Sequence, residues 1–169
     1  MDGTWLHEAT ALDLCGIKRP TWIAWSEQGF VARPDNGAYG LEDVVGVALV
    51  SQLRRALPVE DMTAAWRAIV KSGIADEVAK RAPTLREEDR LDLVIEPASG
   101  RVALATDDIE LAQAVRHPSA PRAVIVISPG SELCRVVDGF TNRALSTEPP
   151  TQRRRGRPRG QSPSSTGAG

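Results

Sequence analysis

The apolar residues of this chain change their period near Leu91, and that change limits it to a mixed architecture. Before that point they recur mainly three and four positions apart, as on helix faces; beyond it, strand-like alternation appears between further helical stretches. The fold class predicted is α+β, with helices first.

Residues Thr4 to about Val70 read as helix, turn, helix, loop, helix, helix. Trp5, Leu6, Ala9, Leu12 and Leu14 form a first helical stripe, which Gly16 breaks. A second short helix runs from Lys18 to Gln28, with Pro20 in its first turn, Gly29 at its end and Trp22, Ile23 and Trp25 to pack it. The turn Pro34-Asp35-Asn36-Gly37, set between Phe30-Val31 and Tyr39-Gly40-Leu41, predicts a small two-stranded wing. Val44, Val47, Ala48, Val50 and Leu53 predict a helix over Glu42 to Ala56, ended by Pro58. Val59, Met62, Trp66, Ile69 and Val70 mark one more.

From Leu91 to Leu145 the order is ββαβα. Leu91, Leu93 and Ile95 alternate, Pro97-Ala98-Ser99-Gly100 turns, and Val102 and Leu104 alternate back. Asp107 and Glu110 have capping-box spacing for a helix to about Arg116. The apolar run Ala123 to Ile127 predicts a strand buried on both faces, running parallel to the second hairpin strand after a right-handed crossover. Ser131 to Leu145 is the last helix, with Ser131 as its cap. The domain boundaries that follow are 1–82, 88–146 and a tail over 147–169, the tail expected to be disordered.

Charge divides along the same lines. The chain carries 21 basic and 22 acidic residues. Five of the basic ones, and none of the acidic, lie from Thr151 onward, so residues 1–150 have net charge 16 minus 22, or −6. No apolar run is long enough to span a bilayer, and Met1 to Arg19 has no signal-segment pattern, so the expectation is a cytoplasmic protein without a membrane partner. Cys15 and Cys134 are far apart and lack His or Cys neighbours at metal-ligand spacing, which argues for neither a disulfide framework nor a metal, and no motif calls for a cofactor.

The stretch Leu14-Cys15-Gly16-Ile17-Lys18-Arg19-Pro20-Thr21-Trp22, followed by Trp25, Gly29-Phe30-Val31, the Asn36-Gly37 turn, Tyr39 and the Glu42-Asp43-Val44 helix start, resembles the MerR-like winged helix-turn-helix DNA-binding domain. The likeness covers about 70 residues and rests on order and spacing. It implies that the second helix enters the major groove and the wing meets the backbone. Carried over, Lys18, Arg19 and Thr21 begin the recognition helix, and Arg33, Asn36 and Tyr39 lie in the wing. Ile23 and Ala38 stand where the family usually carries basic residues. Residues 1–57 hold five basic and seven acidic side chains, net −2 with His7 neutral, which predicts weak DNA binding by this module alone.

Gln152 to Gly160 supplies what the module lacks. It carries five arginines, no acid and the core Arg155-Gly156-Arg157-Pro158. An A·T-rich minor groove is narrow and strongly negative. Gly156 has no Cβ to keep the backbone off its floor, Pro158 favours an extended chain, and Arg155 and Arg157 reach into it. Arg153, Arg154 and Arg159 are left for phosphates. This stretch resembles the AT-hook family, with Arg154 in place of the usual first proline.

Ser128-Pro129-Gly130-Ser131 is a strand-to-helix turn of the kind that can hold an anion, and it also reads as a plain capped turn. His7 and His117 have no nucleophile at a recognisable spacing, so the expectation is no enzyme. Two readings stay open. One is a bacterial, nucleoid-associated DNA-binding protein, acting in transcription regulation or as a chromosome component, whose partner is double-stranded DNA, with an A·T-rich preference in the tail. The other is a protein-interaction module with a degenerate helix-turn-helix and a tail that binds polyanions. A homodimer would use the ββαβα layer, because the segment Ala75 to Ala82 is short and is followed by Pro83.

Overall fold

A computed structural model describes residues 4–96, 99–116 and 124–144. Among these residues are seven α-helices and two small antiparallel sheets, an α+β chain. The N-terminal part begins with a short strand, β1 (Leu6–His7), and continues through α1 (Glu8–Leu14), α2 (Arg19–Glu27) and a second short strand, β2 (Ala38–Tyr39). Then come α3 (Leu41–Ala56), α4 (Val59–Lys71), α5 (Ile74–Arg81) and a 3-10 turn at Ala82–Thr84. The second part is β3 (Asp92–Glu96), β4 (Arg101–Ala105), α6 (Asp108–Val115), β5 (Ile125–Ile127) and α7 (Gly130–Arg143).

The first two helices stop where glycine permits it. Gly16 has φ +65°, with its N–H bonded to Asp13 O at 3.0 Å and the N–H of Ile17 to Leu12 O at 2.9 Å. Gly29, at φ +75°, repeats the arrangement: its N–H reaches Ser26 O, and the N–H of Phe30 reaches Trp25 O at 2.9 Å. Both are Schellman endings, which need a left-handed residue at one position.

That second ending corrects the wing. The backbone of Phe30 is spent on α2 and its side chain is buried, so Phe30-Val31 does not pair with the segment after the turn. Ala38–Tyr39 pairs instead with Leu6–His7, antiparallel, in the register Leu6 with Tyr39. The first helix is shorter than its apolar stripe for the same reason: Trp5 and Leu6 are extended and α1 starts at Glu8.

Helix α3 is the axis of the molecule. Val44, Val45, Val47, Ala48, Leu49, Val50 and Leu53 are buried, a wider arc than one face, because neighbours surround the helix. One hydrophobic core runs from Leu12, Trp22 and Tyr39 through α3 to Leu93, Ile127 and Phe140.

The three-stranded sheet has the order β4-β3-β5, with β3 antiparallel to both neighbours. Strands β4 and β5 therefore run the same way, as the crossover reading requires, but β3 stands between them. The hairpin pairs Leu93 with Leu104 and Ile95 with Val102. The strand buried on both faces is β3, not β5, because β3 is central; Val126 on the edge strand is exposed. Ala123 lies outside the described residues. Asp107 caps α6 through bonds from the N–H groups of Ile109 and Glu110, and the Glu110 carboxylate accepts from Thr106 rather than from Asp107.

Helix α7 starts one residue earlier than its predicted cap. Pro129 is the flanking residue and Ser131 lies in the first turn, exposed, with no capping bond. Ser128 turns instead to the buried Asp92, donating to Oδ1 while Arg90 donates to Oδ2 and also reaches Asp108. A buried carboxylate requires such partners.

Candidate nucleic-acid interface

The candidate surface is built by α1, the Gly16 turn and the start of α2. Lys18 precedes α2 in an extended conformation (φ −77°, ψ 140°), which aims the chain into the helix, and Arg19 and Pro20 open the first turn. Trp22 and Trp25 are buried in the core, while Lys18, Arg19 and Thr21 are exposed. Ile23 is half-buried against the core, a packing role that accounts for an apolar residue there.

Arg19 is exposed but not unengaged. Its Nε donates to Glu8 Oε1 at 2.8 Å. Arg33, also exposed, lies with its guanidinium 5.2 Å from the centre of the Trp22 ring, a cation–π distance. Asn36 is exposed and folds back on the turn, Oδ1 accepting the N–H of Ala38 at 3.0 Å. Arg19 and Asn36 line one open depression of about 690 Å³, together with His7, Glu8 and Asp13.

Tyr39 departs from the expectation of a surface contact. Its side chain is 0% exposed and packs edge-on to Trp22, ring centres 5.9 Å apart. Burial pushes the phenol pKa up, the negative Glu8 adds to the rise, and Arg33 opposes it. Tyr39 OH and Trp22 Nε1 have no hydrogen-bond partner among the described residues. Pattern reading placed Tyr39 in a wing paired with Phe30-Val31; pairing with β1 turns its ring inward.

Two cations reach this region from the far end of the chain. Arg135 Nη2 donates to Leu14 O at 2.8 Å, taking one of the carbonyls left open at the end of α1, and is fixed by Glu132 at 2.7 Å. Arg143 Nη1 lies 3.1 Å from Asp13 Oδ2. Helix α7 thus ties itself to α1 at two points, while its own Glu132 and Asp138 balance its two arginines in charge. No local signal marks them, since Arg143 and Asp13 are 130 positions apart.

Cys15, between the two helices, is an inert thiol: burial pushes its pKa up to about 12, and Sγ donates to Val44 O. Among the described residues no group of three or more His, Cys, Asp or Glu side chains is placed to hold a metal, and no helix is long and apolar enough to cross a membrane. Arg153, Arg154, Arg155, Gly156, Arg157, Pro158 and Arg159 lie outside the described residues. No protein-family model matches the chain, and no curated protein matches it either.

Proposed function

We propose that this chain binds double-stranded DNA in two places, as a transcription regulator or chromosome-associated protein. In this reading α1 and α2 form a MerR-like helix-turn-helix with α2 in a major groove, and Arg155-Gly156-Arg157 enters an adjacent A·T-rich minor groove as an AT-hook does. The observation that carries the reading is the placement of Lys18, Arg19 and Thr21, exposed together at the start of a helix that Trp22 and Trp25 lock into the core. Recognition helices contact base edges with their N-terminal residues, so this is where reading residues belong. Arg143 supports it by pairing with Asp13, one of the module's acids.

The test is a footprint of the full chain beside one truncated after Pro150, at one fixed salt concentration. The proposal expects a protected site with an A·T-rich tract at one side, and loss of that flank on truncation. Absence of any protected site with either protein sinks it. The second reading, a protein-interaction module, draws on the Arg19–Glu8 pair and the buried Tyr39, each of which removes a group from DNA.

A further inference from the structure

Helix α3 carries a glycine that packing does not explain. Gly46 lies in the helix interior, a position where glycine is less favourable than alanine. Close approach of another element is the usual reason, and it holds for Gly139, where a Cβ would stand 2.3 Å from Leu14 Cδ1. At Gly46 a Cβ would meet nothing within 4 Å. The space beside it is open, and it belongs to a cavity of about 360 Å³.

The walls of that cavity have a definite chemistry. Phe30, Val45, Leu49 and Trp66 supply apolar and aromatic surface. Glu42, Asp43 and Asp76 supply three carboxylates against the single ammonium of Lys80. None of these four charged groups makes a salt bridge among the described residues. Asp43 is half-buried, with Oδ2 accepting the N–H of Gly40 at 2.9 Å. Burial there raises its pKa, so a positive charge brought close would favour its ionised form. An apolar cleft with a few polar groups is the usual make-up of a small-molecule site, and this volume lies toward the small end of the ligand range, about 300–1,000 Å³.

We propose that this cavity binds a small organic cation, its apolar or aromatic body against Phe30, Leu49 and Trp66 and its charged head among Glu42, Asp43 and Asp76. Three carboxylates favour a cation over a neutral or anionic ligand of the same shape, and the Trp66 ring adds an attractive face for it. The inference stands apart from DNA binding, since none of Lys18, Arg19 and Thr21 lines the cavity.

The test is a titration of the full chain with benzyltrimethylammonium, followed by NMR at the Gly46 amide and the Trp66 indole N–H. Benzyl alcohol and benzoate serve as the neutral and anionic counterparts. Saturable binding at millimolar or lower concentration is expected for the cation, centred on those two signals. Glu42→Gln combined with Asp76→Asn, both at exposed positions, should weaken it by about tenfold, a difference of roughly 1.4 kcal/mol. Gly46→Leu, filling the cavity, should abolish it. Benzoate saturating as well as the cation, unchanged affinity in the charge variant, shifts centred elsewhere or no saturation would each overturn the proposal. The charge variant decides the matter even if Gly46→Leu does not fold.

Discussion

Arg19 Nε and Glu8 Oε1 stand 2.8 Å apart, joining the first residue of α2 to the first residue of α1. The Arg19 side chain is 67% exposed, so water screens the pair and its worth is at most about 1 kcal/mol. A DNA phosphate could take Arg19 from Glu8 at that small cost. Glu8→Gln should therefore raise DNA affinity by roughly twofold to fivefold, which corresponds to up to about 1 kcal/mol. Thermal stability should barely change. Fluorescence anisotropy at constant salt checks this, and a fall in affinity would show that Glu8 positions Arg19 rather than competing for it.

Tyr39 makes a contrasting case. Its hydroxyl is buried beside Trp22 without a partner among the described residues, and a buried unpaired polar atom costs about 1–3 kcal/mol. Tyr39→Phe keeps the ring and removes that atom. The variant should be as stable as the parent or more so in urea denaturation, and its DNA affinity should be unchanged. A loss of affinity with stability intact would mean that the hydroxyl reaches DNA after a rearrangement of β1 and β2.

What the sequence disclosed, and what it hid, follows from the range of the signals involved. The helix ends at Gly16 and Gly29, the span of α3 and the hairpin around Gly100 depend on residues within a few positions of one another, and pattern reading locates them. The pairing of Leu6 with Tyr39 and the ion pair of Arg143 with Asp13 depend on tertiary approach. Phe30 shows how the two scales conflict: its β propensity suggests a strand, but its N–H is already committed to Trp25 O. The apolar run ending at Ile127 has the composition of a central strand, and only the sheet order makes it an edge. At the candidate interface, charge alone argues for Lys18 and Arg19 at the surface, whereas Thr21 shares the helical stripe of Trp22 and Trp25 and only the packing leaves it exposed; the arrival of α7 has no local signal.

Acid should loosen the junction between α7 and α1. The Arg135 hydrogen bond holds the Glu132 carboxyl below its usual range, with burial acting the other way. A carboxylate whose pKa is depressed in the folded state adds stability above its unfolded pKa, and that stability is lost as pH falls through the folded value. The parent protein should lose this contribution as pH falls from the ordinary Glu value, about 4.3, to below the depressed one. Glu132→Gln should show a shallower loss over the same window. Arg135→Ala should cost about 1–2 kcal/mol at pH 7, a charge-assisted bond discounted for a half-exposed arginine. Urea midpoints from pH 6 to acid provide the measurement, and identical pH slopes in parent and Glu132→Gln would refute the linkage.

Gly139 and Leu14 should behave as a coupled pair. A Cβ at Gly139 would meet Leu14 Cδ1 at 2.3 Å, in a core where Leu14 is buried. Gly139→Ala gains about 1 kcal/mol of helix propensity but forces that methyl aside, and overpacking costs on the order of 1–3 kcal/mol. The single change should destabilise. In a Leu14→Ala background the obstacle is gone, and the same change should stabilise. Additive effects in the double-mutant cycle would show that α1 and α7 adjust freely at this contact.

The tail and the body should act as one bipartite binder. Arg155→Ala with Arg157→Ala removes the two side chains proposed to enter the minor groove, so preference for A·T-rich over G·C-rich duplex should vanish, while Arg153→Ala should lower affinity without changing preference. The body, at net −6, should bind poorly when truncated after Pro150, and an isolated tail peptide should bind weakly with a steep salt dependence. A tether makes the second contact intramolecular, so the full chain should exceed either part by more than about tenfold where an A·T-rich tract adjoins the site proposed for α2. Moving the tract beyond the reach of the residues after α7 should cancel that gain, because effective concentration falls to nothing when a linker cannot span two sites. Equal affinity for near and distant tracts would mean that the two contacts are independent, and A·T preference surviving the double arginine change would remove the minor-groove contact altogether.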